Sequence, residues 1–106
     1  MASSVSCALA SASTSAPELF STGEIVLTPG VKALVRRRYI DAGTCLNRHR
    51  RGDWGDVDEA ERHINENYGL QGREKLFSRY PIANGVWLEV WTMYDRSMTV
   101  LLLPYE

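Results

Sequence analysis

The chain has 106 residues, of which 44% are hydrophobic and 24% charged, and its formal net charge at pH 7 is -1. That length is typical of one ordinary domain and leaves no room for a second. The balance of basic and acidic residues excludes both an acidic solvating tail and a uniformly basic nucleic-acid coat. No apolar run approaches the roughly 18 residues of a membrane-spanning helix, which predicts a soluble protein without a membrane partner.

Residues 1–22 are predicted to be a disordered leader, and residues 23–106 a single α+β domain. The leader is rich in Ser and Ala, which cannot bury enough apolar surface to offset the entropy of the chain. It has no Lys or Arg and no continuous apolar segment, unlike a secretory signal. Cys7 lies in this leader and Cys45 is the only other cysteine, so no disulfide framework is expected and a cytoplasmic location is predicted.

The first half of the domain is predicted to contain one strand and two helices. Residues 24–27 are rich in β-branched side chains and favour a strand. Thr28 and Pro29 suit the N-cap and first position of a helix, although residues 31–40 would also be compatible with a strand. Residues 41–50 are predicted to form a second short helix.

The second half is predicted to contain a third helix and a meander of strands. Asp56 suits the N-cap of a helix that runs to about Tyr68, with Glu59 at the partner position of a capping box. Apolar positions then alternate with period two in residues 76–80, 86–91 and 98–103, as in half-buried strands. The predicted fold is therefore α+β: a three- to four-stranded antiparallel sheet, with residues 24–27 at its edge and about three helices on one face.

Charge is divided unevenly along the chain. Residues 1–52 carry a net charge of +4 and residues 53–106 carry -5. If the two halves segregate in space, the domain has a basic and an acidic face, which bears on docking rather than on fold. Two solvated faces without a dedicated partner explain the same pattern.

The segment of residues 48–59 is the most distinctive part of the chain, because it places one His, three Arg and four carboxylates around a Gly-flanked Trp. One interpretation is structural: Asp53 and Asp56 cap turns or helices, Trp54 closes the edge of the core, and the arginines pair with carboxylates. A second interpretation is chemical. His49 and the nearby aspartates would then bind a metal or act as acid and base in a small hydrolase.

Sequence spacing argues against the chemical interpretation. The aspartates do not follow the spacing of a calcium loop, and the chain has no zinc-protease, CxxC, phosphate-loop or GxSxG motif. Cys45 and His49 are four residues apart on a predicted helix and could share a face, but no third group that would orient them is apparent. We therefore expect no enzyme activity, no cofactor and no metal.

A nucleic-acid interpretation is also open. It uses the arginines as phosphate contacts and Trp87 and Trp91 as platforms on which bases stack. The arginines concerned are Arg36, Arg37, Arg38, Arg48, Arg50 and Arg51. The absence of a basic excess over the whole chain argues against it.

The chain resembles a family of small bacterial proteins encoded on plasmids, integrative elements and proteobacterial genomes. The resemblance covers roughly residues 24–106, and its strongest motifs are GDWGD at residues 52–56 and DRS at residues 95–97. Further matching pieces are Thr28-Pro29-Gly30, Arg48-His49, Asn65, Ser78, Tyr80, Trp91-Thr92, Thr99 and Leu102-Leu103-Pro104. The chain departs from the family pattern at Tyr105-Glu106, where members have Glu before Tyr.

This resemblance implies a context rather than a biochemical activity. Short proteins of mobile elements often dock on a larger host machine, so the leading hypothesis is a non-enzymatic protein-binding protein, such as a stoichiometric inhibitor of a restriction or CRISPR system. Its predicted partner-binding surface consists of Arg48, Arg50, Arg51, Asp53, Trp54 and Asp56, because binding hot spots favour an aromatic side chain flanked by arginines. A nucleic-acid-binding accessory protein is the alternative, and the sequence leaves monomer or homodimer undecided.

Overall fold

The computed structural model describes residues 17–82 and 85–106, so Asn84 and most of the predicted leader lie outside the described residues. Four strands are present: β1 (Glu24–Leu27), β2 (Leu76–Pro81), β3 (Trp87–Thr92) and β4 (Met98–Leu102). The α-helices are α1 (Pro29–Arg36), α2 (Ala42–Arg50) and α3 (Glu59–Ile64), and α3 continues into a π-helical segment, Asn65–Gly69. None of these helices has the length and apolar character needed to cross a bilayer.

Each helix begins at a side chain that accepts a hydrogen bond from the backbone of the first turn. Thr28 caps α1 as predicted, and Asp41 caps α2 by accepting from the backbone N–H of Thr44 at 3.2 Å. The strand alternative for residues 31–40 is wrong, because α1 occupies most of that segment. Asp56 was the predicted N-cap of the third helix, and this prediction is wrong because Asp58 caps α3. Asp56 lies before the helix, where its backbone N–H donates to the Arg79 carbonyl.

The strands form one sheet in the order β1-β4-β3-β2. The antiparallel meander of β2, β3 and β4 was predicted, and so was the position of β1 at the edge. β1, however, runs parallel to β4, which makes the sheet mixed rather than purely antiparallel. The residues of a four-residue edge strand carry no signal for its direction, since that depends on the path of the chain through the intervening helices.

The helices cover one side of the sheet. Inward side chains of three strands, among them Tyr80, Leu88, Val90 and Leu101, pack against apolar residues of α1 and α2. A smaller second cluster joins Phe20, Trp54 and Leu76. The predicted α+β class is therefore confirmed, with α1 and α2 packed on one face of the sheet, whereas no residue of α3 belongs to either cluster.

Ordered packing begins earlier in the chain than the predicted boundary at residue 23. The ring of Phe20 belongs to the second cluster, and Thr22 is only 6% exposed. The backbone N–H of Leu19 donates to the Arg50 carbonyl at 2.7 Å. The last residues assigned to the leader are therefore part of the domain, because the end of α2 and the start of β1 need them as packing partners.

Candidate functional site

The GDWGD segment lies along the outer edge of β2. The backbone N–H of Arg79 donates to the Trp54 carbonyl at 3.0 Å, and the Arg79 carbonyl accepts from Asp56 at 2.6 Å. Gly55, with a φ of +74°, forms the bridge to Arg79, and a Cβ at this position would lie 2.2 Å from the Arg79 oxygen. The motif therefore pairs with the outer edge of β2 and protects it from pairing with another chain. The close approach of Gly55 to Arg79 and its positive φ require glycine at this position.

Asn65 extends this cover along the same edge. Its side-chain amide donates to the Phe77 carbonyl at 2.7 Å and its side-chain oxygen accepts from the Phe77 N–H at 3.1 Å. One buried side chain thus takes the place of a neighbouring strand. Together with the GDWGD segment it satisfies the outward backbone groups of Phe77 and Arg79, so this part of β2 offers no free edge for pairing with another chain.

Trp54 lies inside the domain and does not belong to an exposed binding surface. Its side chain is 3% exposed, stacks on Phe20 at 6.2 Å between ring centroids and meets the edge of His49 at 5.7 Å. Its indole N–H donates to Glu66 at 3.3 Å. The predicted role of Trp54 as an aromatic anchor for a partner is therefore corrected: the ring closes the edge of the core, as the structural interpretation proposed.

Arg48 and Asp53 neutralise each other at the end of α2. Two hydrogen bonds join them, from Nε at 2.7 Å and from Nη2 at 3.2 Å, and the guanidinium also lies 4.5 Å from the centre of the Tyr80 ring. The hydrogen bond from Arg48 lowers the pKa of Asp53, as do the charge of Arg48 and the backbone N–H of Gly55. This carboxylate is held as a fixed partner of an arginine rather than as a free acid or base.

The remaining members of the predicted surface differ in exposure. Arg50 is half-buried, bonds to Thr22 at 3.3 Å and lies 4.0 Å from Glu18. Arg51 is half-buried and Asp56 is exposed. The predicted nucleic-acid contacts are all exposed at the C-terminal end of α1, on the helical layer; these are Arg36, Arg37 and Arg38.

His49 is the centre of a buried polar network. Its side chain is fully buried, with Nδ1 2.5 Å from the Ser78 hydroxyl and Nε2 2.9 Å from the Thr92 hydroxyl. Thr92 lies 2.6 Å from Thr99, which donates to the Thr22 carbonyl at 2.8 Å. This chain of hydrogen bonds thus links α2 to the three strands β2, β3 and β4 and to the segment before β1.

Counting hydrogens fixes the direction of every bond in this network. Thr99 uses its one proton on the Thr22 carbonyl, so Thr92 must donate to Thr99. The Thr92 oxygen then accepts from His49, which places the imidazole proton on Nε2 and leaves Nδ1 to accept from Ser78. All four side chains are satisfied by neutral partners, which suits a buried site.

Burial, together with the smaller effects of the charges of Arg50 and Arg96, lowers the pKa of His49 to about 3. The imidazole is therefore neutral at physiological pH, and both of its nitrogens are occupied. A general base must reach a substrate proton, whereas this ring has no exposed surface. The geometry favours a structural role for His49 over a hydrolytic one.

The other chemical interpretations find little support in the geometry. Within the described ranges 17–82 and 85–106, no three residues among His, Cys, Asp and Glu are grouped so that they could hold a metal ion. Cys45 is half-buried on α2, whereas the ring nitrogens of His49 bond to Ser78 and Thr92. Asp53 bonds to Arg48 and not to His49, so the His–Asp pairing of the hydrolase hypothesis is not formed.

The opposite side of the sheet presents a surface that sequence analysis recognised only in part. We call it the open face, and its members are Val26, Phe77, Arg79, Trp87, Glu89, Trp91, Val100 and Leu102. Strand alternation and the observed register place these side chains away from the helices. Among the described residues, no helical side chain belongs to a cluster with them.

An apolar row crosses the whole open face. Val26 is the register partner of Val100, Val100 of Trp91, and Trp91 of Phe77. The rings of Phe77 and Trp91 meet edge to face at 5.4 Å. Trp87 lies four residues before Trp91 on the same strand, so the two indoles share this side of the sheet as the nucleic-acid interpretation assumed.

Cations lie over the aromatic rings of the open face. The Lys75 ammonium is 4.9 Å from the centre of the Trp91 ring. The Arg79 guanidinium is 5.5 Å from the Phe77 ring and 5.9 Å from the Trp87 ring. Cation–π contacts of this kind hold the rings and the charges in place, and Glu89 on the same face accepts a hydrogen bond from the Trp91 indole at 3.2 Å.

Comparison of the chain with protein-family models, curated proteins and solved structures finds no match. Its candidate site therefore depends on geometry alone. Sequence reasoning missed the apolar row because it concentrated on the arginine-rich turn. The available signal was the period-two alternation itself, which already placed Trp87 and Trp91 together, but the neighbours across strands require the register.

Proposed function

We propose that this protein is a non-enzymatic binding protein whose protein partner docks on the open face of the sheet. The observation that carries the proposal is the apolar row of Val26, Val100, Trp91 and Phe77. The first three are half-buried and Phe77 is 6% exposed, and no helical side chain of the described residues belongs to a cluster with them. Contiguous apolar patches on protein surfaces mark interaction sites. Trp and Arg, both present here, are the residues that dominate binding hot spots.

Two features support a protein partner over a nucleic acid. Lys75 and Arg79 already lie over the rings on which bases would have to stack. The half of the open face formed by β1 and β4 is aliphatic, with Val26, Val100 and Leu102, and offers neither phosphate contacts nor stacking planes. The exposed arginines of α1 belong to the helical layer and do not border these tryptophans in the sheet.

The specific form we propose is a stoichiometric inhibitor of a bacterial defence system, anti-restriction or anti-CRISPR in type. Its support is the resemblance of residues 24–106 to small proteins of mobile elements, together with the neutral, buried state of His49 and the pairing of Asp53. Such an inhibitor needs a rigid docking surface and no reactive group. The alternative is the exposed part of the partner-binding surface predicted from sequence, which we call the turn segment and which consists of Arg48, Asp53 and Asp56.

The test compares two variants that introduce the same charge on opposite sides of the domain. Val100→Glu places a carboxylate in the centre of the apolar row, and Ala60→Glu places one on the exposed surface of α3. Full-length tagged protein captures partners from a bacterial lysate, with and without nuclease. We expect a nuclease-resistant, one-to-one protein partner that Val100→Glu loses and Ala60→Glu retains, while both variants keep the wild-type denaturation midpoint.

Other outcomes would assign the function differently. Capture that disappears with nuclease, that weakens linearly in log salt and that depends on Arg36, Arg37 and Arg38 would replace this proposal by the nucleic-acid one. Capture lost in Arg48→Ala but kept in Val100→Glu would move the surface to the turn segment. If the partner is a nuclease of a defence system, purified protein should titrate its DNA cleavage to zero at one equivalent.

A further inference from the structure

A row of side chains borders one end of the open face and carries a charge at each corner. Glu24 is the register partner of Met98, whose carbonyl accepts from the backbone N–H of Met93 at 3.0 Å. Lys75 directly precedes β2, next to Met93 in the register, and its ammonium lies over the Trp91 ring. Strand alternation turns the row to the open side of the sheet. Three strand spacings, about 14 Å, separate its two charges, which therefore do not pair within one chain.

The apolar row of the open face is divided by size in the same direction. Its members on β2 and β3 are the large rings of Phe77 and Trp91, whereas its members on β4 and β1 are the small, branched Val100 and Val26. The cation and the rings thus share one half of the surface, and the carboxylate and the valines share the other half. Each half complements the other in shape and charge, which is what an isologous contact between two copies requires.

Aligned packing of two such sheets leaves two symmetric arrangements, and the charges distinguish them. A two-fold axis parallel to the strands places β1 of one copy over β2 of the second copy. It brings Glu24 against Lys75 at two equivalent places, and Trp91 against Val100. An axis perpendicular to the strands places each strand over itself, so that ring meets ring and Lys75 meets Arg79. Like charges in contact disfavour this second arrangement.

We infer that the open face binds a second copy of this chain about a two-fold axis parallel to the strands, and that this homodimer covers the face until a target replaces one copy. The inference rests on the proposed function, because it names a second occupant of the same docking surface. Four strands about 4.8 Å apart and up to about 20 Å long form a surface below the standard interface size. We therefore expect a weak dimer, with a dissociation constant of about 10 to 100 µM.

The test is sedimentation equilibrium of the purified full-length chain without a target, from about 1 µM to about 1 mM, which spans the expected constant. Val100→Glu places a carboxylate against the Trp91 ring of the second copy and should abolish the dimer in this range. Lys75→Glu makes two attractive contacts repulsive and should weaken the dimer about tenfold at about 0.1 M salt. Lys32→Glu makes the same charge change on α1 and is the matched control, which should dimerise as wild type.

A double charge reversal separates contact between copies from a general effect of charge. Glu24→Lys alone should weaken the dimer as much as Lys75→Glu does. The double variant restores two attractive contacts with the signs exchanged and should return to within about twofold of wild type. The two positions lie about 14 Å apart in one chain, beyond the screening length at about 0.1 M salt, so recovery requires the second copy. Urea midpoints show that each variant remains folded.

Three results would overturn the inference. One is a monomer over the whole concentration range, even if that monomer captures a target through Val100. A second is a dimer that survives Val100→Glu and Lys75→Glu, which would place the contact elsewhere, for example at the outer edge of β1. A third is the lack of recovery in the double variant.

Failure of the proposed function has a different readout. That function is measured by capture of a target, whereas the homodimer is measured on the purified chain alone. A dimer that responds to the variants as expected but captures no target would support the homodimer and remove the proposed inhibitor.

Discussion

Around His49, the two faces of the sheet have the reverse of the polarity expected from an ordinary half-buried sheet. Thr92 and Thr99 lie on the buried inner face, beside His49. Their neighbours in sequence, Trp91 and Val100, lie on the partly exposed open face. A sheet with one solvated side normally turns apolar residues inward and polar residues outward. Each face therefore needs its own explanation.

The inner face tolerates polar residues because they satisfy one another. Burying a hydroxyl without a partner is costly, but here every donor and acceptor from Ser78 to the Thr22 carbonyl is used. The open face has no such internal explanation, which is why a partner is proposed for it. A slip of β4 by one residue would reverse the two faces, so the network also helps to fix the register.

The largest expected effect on stability comes from replacing His49, the centre of the buried polar network. Replacing His49 by Ala leaves a cavity and removes the partners of Ser78 and Thr92, and we expect the free energy of unfolding to fall by about 3 to 5 kcal/mol. Many domains have only about 5 to 15 kcal/mol in total, so this variant should be close to unfolding. Urea denaturation followed by tryptophan fluorescence measures the change.

His63 provides the matched control for that substitution. Its side chain is exposed on α3, and we expect His63→Ala to change stability by less than about 0.5 kcal/mol. Similar losses in the two variants would mean that the network contributes little to stability. The reversed polarity of the inner face would then need another explanation.

The second prediction concerns pH. The pKa of His49 falls from 6.5 to about 3 on folding, so the unfolded state binds more protons between those values. Stability is then fully present above about pH 6.5 and is lost as the pH falls towards 3, at most about 1.4 kcal/mol per pH unit. Between about pH 7.5 and pH 5 the expected loss is about 2 kcal/mol.

This pH dependence is measured by urea midpoints at several pH values above the range in which carboxylates titrate. His49→Gln, which keeps a polar side chain but cannot titrate, should flatten the profile if it folds. His63→Gln should keep the wild-type slope. A wild-type profile that is flat from about pH 7.5 to pH 5 would contradict a neutral, buried His49.

Much of the fold could be predicted from local signals. Thr28 and Asp41 cap helices because their side-chain oxygens accept backbone N–H groups, and this preference is local enough to be read from sequence. The alternation in β3 and β4 gave the meander. The direction of β1 and the start of α3 could not be predicted, because both depend on contacts with distant segments: β4 for β1, and Arg79 for Asp56.

The candidate site was less predictable for a related reason. Trp54 has the composition of a hot spot in sequence, with arginines before it and aspartates around it, yet Phe20 and His49 enclose the ring. Phe20 lay in the predicted leader, so no local pattern indicated this packing. The apolar row of the open face likewise exists only once the register brings Val100 beside Trp91.

A matched pair of substitutions on β4 gives the third prediction. Thr99→Val removes a buried hydroxyl and leaves Thr92 and the Thr22 carbonyl unpaired, so we expect a loss of about 1 to 3 kcal/mol. Val100→Thr makes the inverse change one residue later, on the open face, and should cost less than about 0.5 kcal/mol. The difference between the urea midpoints of the two variants shows how much more stability depends on the hydroxyl of the inner face. Equal losses of stability in the two variants would contradict the proposed roles of the two faces.

The smallest expected effect is at the rim of the open face. Lys75 is an exposed residue whose ammonium lies over the Trp91 ring, and contacts of this kind contribute about 0.5 to 1 kcal/mol at exposed sites. Lys75→Ala should therefore lower stability by no more than about 0.5 to 1 kcal/mol, with Lys32→Ala as the control on α1. A loss comparable to that of Thr99→Val would mean that Trp91 belongs to the folded core. A small loss leaves the ring available for a partner, since a surface that contributes little to folding is free to contribute to binding.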